Sequence, residues 1–128
     1  MEKPIRSGLR TTFLLQAISH AVFGIVFLLI PEAFATLVGL PVADWAMSIA
    51  RMLGAAQLGF SAACWFAYKE TLWERVKIVV QMEIVFNVMG TLAALYGLTL
   101  GGLPAMIWPN LIILVVFGVA FTVLYYRR

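Results

Sequence analysis

Charged residues are confined to the gaps between long apolar stretches, and this pattern constrains the fold more than any other feature of the chain. Hydrophobic residues make up 63% of the 128 residues and charged residues only 12%, against roughly 45–50% and 25% in soluble domains. Polar side chains cannot cover this much apolar surface, so we expect lipid to cover it. At this length the chain forms a single domain.

Four apolar stretches are each long enough to cross a bilayer as a helix, which needs about 20 residues. The sequence therefore predicts an all-α fold, a four-helix transmembrane bundle in which residues 1–128 form one transmembrane domain. The predicted spans cover residues 9–30, 45–68, 75–98 and 104–126. Between the first two spans we expect a short interfacial helix that ends at Gly39 and Pro41. Pro104 suits the first turn of the fourth span.

The basic residues mark one side of the predicted membrane protein. With four spans, both termini and the second connection share a side, and they carry Lys3, Arg6, Arg10, Lys69, Arg75, Lys77, Arg127 and Arg128. Connections rich in Lys and Arg remain in the cytoplasm, so we expect both termini there. Positive charge at span ends meets anionic lipid head groups. We therefore expect membrane lipid, and no nucleic acid, as a partner.

Polar residues inside the predicted spans are the candidates for binding a ligand or a proton. They are Gln16, His20, Arg51, Gln57, Glu83, Asn87 and Asn110. Side chains of this kind face the bundle interior and need partners there. Gln16 and His20 share a helix face at a four-residue step, as do Glu83 and Asn87. Spans one and three run in the same direction, so we expect His20 near Asn87, directly or through water, with Gln16 or Glu83 completing the cluster.

Several of these residues also have a purely structural interpretation. Glu83 is either a paired or hydrogen-bonded structural residue or one that binds a ligand or proton. His20 makes either a helix contact or a proton relay, metal or haem site. A single His without companion ligands does not indicate a metal, so we expect no metal site. Arg51 either reaches Asp44 or Glu32 at the membrane surface or holds an anionic group.

Small residues extend the Glu83 face of span three and predict a close helix contact. Gly90, Ala94 and Gly97 continue this face, and small residues let helix backbones approach. We therefore expect Gly90 to contact another helix closely. In span four, Asn110 follows Pro109, and we expect its side chain to bond the carbonyl groups that the proline frees.

Three short segments in the first half of the chain carry a resemblance to a known family. They are Ile30-Pro31-Glu32, Val38-Gly39-Leu40 and Ala50-Arg51-Met52-Leu53-Gly54-Ala55. They are similar to segments of small uncharacterised four-helix membrane proteins of the DoxX-like type. The resemblance implies a four-helix bundle and a role in redox- or quinone-linked membrane complexes. No residue set in the chain by itself indicates quinone chemistry, so the cofactor remains unknown.

The function classes follow from what the chain contains. It has no G-x-S-x-G, H-E-x-x-H, P-loop or C-x-x-C motif, so we expect no catalytic residues and favour a protein that is not an enzyme. We first expect an accessory subunit, or a module that binds a lipid or another hydrophobic molecule, in a homo-oligomer or larger membrane complex. The alternative is a proton-coupled carrier of small molecules that uses Glu83 and His20. A third interpretation is a subunit of a quinone- or haem-linked redox complex.

Overall fold

The structure, a computed structural model, describes residues 3–101 and 107–127. Within these residues the chain forms α-helices and no β-strand, which confirms the all-α prediction. The helices are α1 (Ser7–Leu29), α2 (Pro31–Leu37), α3 (Asp44–Lys69), α4 (Trp73–Thr99) and α5 (Ile107–Tyr126). Residues 104–106, where we expected the fourth span to begin at Pro104, lie outside the described residues.

Three of the described helices, α1, α4 and α5, are long and apolar enough to cross a membrane, as judged by length and composition. The sequence predicted four. The exception is α3, which has 26 residues and is about 39 Å long at 1.5 Å per residue. Its length suffices, but Arg51, Gln57 and the terminal Asp44 and Lys69 lower its hydropathy.

The short helix predicted in the first connection is present as α2. Pro31 lies in its first turn, where a missing N–H group costs little. Gly39 follows the helix with a φ of 76°, which a residue without a Cβ adopts readily. The Leu40 N–H then donates to the Ala35 carbonyl at 2.8 Å, and the Gly39 N–H to the Thr36 carbonyl at 3.2 Å. These two bonds form a Schellman motif, which ends the helix where the sequence indicated.

The four long helices contact one another in a ring, in the order α1, α3, α4 and α5. The most extensive contact joins α1 to α3, and glycine makes it possible. A Cβ atom on Gly54 would lie 2.5 Å from the Leu28 amide nitrogen and 2.8 Å from the Gly24 carbonyl oxygen. Only glycine, whose side chain is a hydrogen atom, fits at this crossing. Helices α1 and α4 lie across the ring from each other, so only side chains that reach the centre can join them.

Helices α4 and α5 meet over small residues, as the sequence predicted for Gly90. A Cβ atom on Gly90 would lie 3.1 Å from a methyl carbon of Leu114 on α5. One on Gly118 of α5 would lie 3.3 Å from the Cβ atom of Asn87. The close helix contact expected at Gly90 is therefore confirmed.

All the described Lys and Arg residues except Arg51 gather at one end of the ring. The Ile5 N–H donates to the Thr71 carbonyl at 2.9 Å, which places the segment before α1 against the connection between α3 and α4. Gln81 donates to the Tyr125 hydroxyl at 3.1 Å, which brings the start of α4 to the end of α5. This basic end carries Lys3, Arg6, Arg10, Lys69, Arg75, Lys77 and Arg127.

Candidate functional site

A buried group of polar side chains lies inside the ring, and we call it the central cluster. It consists of Gln16 and His20 from α1, Gln57 and Cys64 from α3, and Glu83 from α4. Glu83 and Cys64 are fully buried, Gln16 is 2% exposed and His20 is 3% exposed. Gln57 is partly buried. Side chains from three helices therefore meet in the buried interior of the ring.

Helical periodicity explains which residues of each helix reach the cluster. Gln16 and His20 are one turn apart on α1, so they project from the same face. Gln57 and Cys64 are two turns apart on α3 and share a face in the same way. The Ser61 hydroxyl between them donates to the Ala17 carbonyl on α1 at 2.8 Å. The polar face of α3 is thus turned towards α1 and the ring interior.

The Glu83 carboxylate is the centre of the hydrogen-bond network. Its Oε2 atom lies 3.2 Å from His20 Nε2 and accepts a hydrogen bond of 3.1 Å from the Gln16 amide. Its Oε1 atom accepts the Cys64 thiol hydrogen, with an S–O distance of 3.2 Å. A buried carboxylate is tolerated only where it is well hydrogen-bonded or paired. Here both of its oxygen atoms are bonded by side chains of other helices.

His20 is held in one orientation by contacts on both sides of its ring. Its Nδ1 atom hydrogen-bonds to Oε1 of Gln57. An amide oxygen can only accept, so Nδ1 carries the hydrogen. This tautomer leaves the Nε2 lone pair facing the Gln16 amide, 2.9 Å away, and the Glu83 carboxylate. The rings of Phe60 and Phe86, with centroids 5.6 Å and 5.2 Å from the imidazole centroid, cover its remaining edges.

Two buried acceptor atoms lack a hydrogen-bond partner among the described residues. They are Oε1 of Gln16, within the central cluster, and Oδ1 of Asn87. The Asn87 amide nitrogen donates to the Glu83 backbone carbonyl at 2.7 Å, so its oxygen is left over. An unsatisfied buried polar atom costs roughly 1–3 kcal/mol. Both oxygens are therefore positions where a bound group can gain a contact that the protein alone does not supply.

The predicted proximity of Gln16, His20 and Glu83 is present, and Gln57 joins them. The direct hydrogen bond expected between His20 and Asn87 is not among those of the described residues. The His20 ring donates to Gln57 and accepts from the Gln16 amide, and its Nε2 atom lies 3.2 Å from Glu83 Oε2. Asn87 donates to the backbone of its own helix. A water bridge between His20 and Asn87 remains a prediction.

Arg51 lies apart from the central cluster and contacts one of its two predicted acidic partners. Its Nη2 atom donates to Oε1 of Glu32 at 2.6 Å, and the two side chains are 43% and 45% exposed. The pKa of Glu32 lies below its ordinary value of 4.5, because the carboxylate accepts a hydrogen bond from its own backbone amide and another from Arg51. Arg51 therefore makes a half-exposed ion pair in this structure.

Asn110 is also apart from the cluster and makes no side-chain hydrogen bond within the described residues. The carbonyl that Pro109 frees belongs to residue 105, which is outside the described part of the chain. The hydrogen bond predicted from the Asn110 side chain to that carbonyl therefore remains a prediction.

Cys64 is the member of the central cluster that sequence reasoning missed. It lies in an apolar run, but Gln57, Ser61 and Cys64 recur at steps of four and three residues, which is the spacing of one helix face. We expected no metal site because His20 has no companion ligand near it in the sequence. The fold supplies companions, since donor atoms of His20, Cys64 and Glu83 all lie within 4.8 Å of one another.

An open groove runs between α4 and α5, and we call it the α4–α5 groove. It has a volume of about 320 Å³, and the residues along it include Asn87, Leu92, Val115, Gly118 and Val119. Its walls are almost entirely apolar. The side-chain oxygen of Asn87 is the unsatisfied acceptor described above.

Comparisons with protein families, with characterised proteins and with solved structures find no match to this chain. The resemblance to DoxX-like proteins therefore remains a prediction.

Proposed function

We propose that this chain is an integral membrane protein in which α3 is a fourth span, completing a four-helix transmembrane bundle. The low hydropathy of α3 is no obstacle, because its main polar side chains have partners within the protein. Gln57 and Cys64 hydrogen-bond inside the ring, and Arg51 pairs with Glu32. The basic end of the ring then lies in the cytoplasm together with both termini, since Lys and Arg are enriched on that side.

We further propose that the protein is a non-catalytic module that binds a lipid or another hydrophobic molecule in the α4–α5 groove. One observation carries this proposal: Asn87 is 1% exposed, its Oδ1 atom lacks a donor, and the residue lines a mostly apolar groove. The hydroxyls of Thr91 and Thr122, which also line the groove, donate to backbone carbonyls of their own helices. The ligand that fits is an apolar chain bearing one hydrogen-bond donor, such as a hydroxyl or an amide N–H. Its donor would satisfy Asn87 while its chain covers the walls.

The size and position of the groove agree with such a ligand. Small-molecule sites are typically about 300–1,000 Å³ and mostly apolar, with few polar groups, and the groove falls at the lower end of that range. Leu92, Val115 and Val119 on its walls are 55%, 44% and 58% exposed. In a membrane these side chains face lipid, so a hydrophobic molecule would enter sideways from the bilayer.

Photocrosslinking tests this function. The probe is a long-chain fatty alcohol that carries a diazirine and an alkyne, and the comparison molecule is its methyl ether, which lacks the donor. We expect the alcohol to label peptides of α4 and α5 in detergent-solubilised protein, and unlabelled alcohol to compete better than the ether. Replacing Asn87 with Leu should remove the preference for the alcohol.

A matched pair of variants makes the crosslinking experiment specific. Val119→Trp fills the groove, whereas Val116→Trp places the same side chain on α5 outside it; the two valines are 58% and 57% exposed. We expect labelling to fall in Val119→Trp and to persist in Val116→Trp. Equal labelling of both variants, or equal competition by alcohol and ether, contradicts the proposal.

The contact between His20 and Glu83 favours a second candidate, a proton-coupled carrier. Two titratable side chains meet at 3.2 Å in the buried centre of the ring, where a proton can pass between them. Infrared difference spectra between two pH values test this. A carboxyl band that disappears in Glu83→Gln and persists in Glu32→Gln supports the carrier, and the absence of any such difference rejects it.

A further inference from the structure

We propose that the central cluster is a binding site for a divalent transition metal ion of the zinc class. Three potential ligands come from three different helices: the imidazole of His20 on α1, the thiol of Cys64 on α3 and the carboxylate of Glu83 on α4. Their donor atoms lie within 4.8 Å of one another, and all three residues are buried. This site is separate from the α4–α5 groove and does not depend on a ligand there.

The distances within the cluster are close to those that a tetrahedral metal requires. Zinc binds imidazole nitrogen and carboxylate oxygen at about 2.0 Å, which sets those two ligand atoms about 3.3 Å apart at the tetrahedral angle. His20 Nε2 and Glu83 Oε2 are 3.2 Å apart. A thiolate bound at about 2.3 Å lies about 3.5 Å from a ligand oxygen, and Cys64 Sγ is 3.2 Å from the other oxygen of the same carboxylate, Glu83 Oε1. The three donor atoms lie within 4.8 Å of one another, so side-chain rotations that draw them together would enclose an ion.

The surroundings of His20 are those of a metal ligand. In metal sites the ligating imidazole usually donates its second N–H to an oxygen, which fixes the tautomer and the ring orientation. Gln57 accepts the Nδ1 hydrogen of His20 in this way, and the Nε2 lone pair faces the other two ligands. Gln57 is therefore a positioning residue for His20.

Gln16 offers a fourth ligand. Its Oε1 atom is buried without a hydrogen-bond donor, while its Nε2 atom lies 2.9 Å from His20 Nε2 and 3.1 Å from Glu83 Oε2. A half-turn of the amide brings the unsatisfied oxygen to the place now occupied by the nitrogen. The set is then one nitrogen, one sulfur and two oxygens, which completes a tetrahedron.

The charges of the ligands favour a divalent ion in this buried cluster. A bound Cys64 loses its thiol proton, as a metal-ligating thiol must. The thiolate and the Glu83 carboxylate then carry two negative charges, and neutral His20 and Gln16 add none. A divalent cation makes the filled site neutral, so no net charge is buried. A thiolate and an imidazole select zinc, cobalt or a similar ion, whereas magnesium and calcium prefer oxygen ligands.

Cobalt(II) titration tests the site, because the absorption spectrum of bound Co²⁺ depends on its ligands and coordination geometry. Tag-free full-length protein in detergent is washed with a chelator and titrated with Co²⁺. We expect saturable binding of one ion, a thiolate-to-cobalt charge-transfer band, and intense visible bands of a tetrahedral ion. Zinc should displace the cobalt, and excess Mg²⁺ should not. If the parent protein shows no saturable binding of Co²⁺, the proposal is wrong, and no variant is needed to decide this.

Variants assign the ligands. Cys64→Ser should abolish the charge-transfer band, and Glu83→Gln should abolish saturable binding. Gln57→Leu should weaken binding by about 10–100-fold while keeping the band, as expected for a residue that only orients a ligand. The control is Glu32→Gln, a carboxylate at the far end of the ring, which should bind like the parent. A charge-transfer band that survives in Cys64→Ser overturns the proposed ligand set.

Discussion

His20 Nε2 lies 3.2 Å from Oε2 of Glu83, although 63 residues separate them in the sequence and their helices lie across the ring from each other. The contact between His20 and Glu83 depends on a third helix. Helix α3 packs beside both, orients His20 through Gln57 and bonds Glu83 through Cys64. The least apolar of the four long helices therefore assembles the polar centre of the protein.

Replacing Glu83 should show how much the central cluster contributes to stability. Glu83→Gln keeps the shape but leaves one acceptor oxygen for the donors from Gln16 and Cys64, so one buried donor loses its partner. We expect a loss of about 1–3 kcal/mol in the free energy of unfolding. Glu83→Leu should cost more, because both donors then lose their partners. Reversible denaturation in mixed micelles measures this, with Glu74→Gln as an exposed control. Parent-like stability of Glu83→Leu would contradict the described network.

Two glycines on α3 should respond in opposite ways to the same substitution. A Cβ atom at Gly54 meets backbone atoms of α1 at 2.5 Å and 2.8 Å, whereas one at Gly59 meets nothing within 4 Å. Backbone cannot move aside as a side chain can, so Gly54→Ala should destabilise the fold by about 1–3 kcal/mol. Gly59→Ala should be neutral or stabilising by up to about 1 kcal/mol, since alanine favours a helix. Equal unfolding free energies of the two variants would rule out the close crossing of α1 and α3.

Cysteine labelling of intact cells should reveal the orientation. In a Cys64→Ser background, a reagent that cannot cross the membrane should label Ala43→Cys and leave Thr71→Cys unlabelled. The reason is that residue 71 lies at the basic end and residue 43 precedes α3 at the other. Permeabilised cells provide the control, because both cysteines should then react. Labelling of Thr71→Cys alone in intact cells would reverse the orientation, and labelling of both would exclude α3 as a span.

The Glu32–Arg51 pair predicts a titration that can be followed by carbon NMR of the labelled Glu32 carboxylate. Its pKa should lie below 4.5 in the parent protein. Arg51→Gln should raise the pKa only partly, because hydrogen bonding to the backbone amide is the larger cause and persists.

The stability of the folded protein should depend on pH through Glu32. Because folding lowers the pKa of Glu32, its contribution to stability is present above 4.5 and disappears as the pH falls through the lowered value. The Arg51→Gln variant should lose less stability than the parent over this acidic range. A Glu32 pKa at or above 4.5 in the parent would contradict the ion pair.

The local features of the fold could be read from the sequence because each depends on residues near one another in the chain. Apolar length and flanking charge predicted α1, α3 and α4 to within a few residues, and Gly39 marked the end of α2. The shared faces of Gln16 with His20 and of Glu83 with Asn87 follow from the helical repeat alone. The expectation that Gly90 allows a close helix contact follows from the same repeat.

Only the tertiary structure decided which faces meet. Helical periodicity places His20 on a face of α1 but does not say how far that helix is rotated towards α3 or α4. The rotation is decided by packing, above all by the crossing at Gly24 and Gly54, where backbone atoms come within van der Waals contact. That crossing turns Cys64 inward to Glu83, and the meeting of Gly118 with Asn87 places Asn87 beside the α4–α5 groove. The sequence determined the helices and their polar faces, and close packing between helices determined the site.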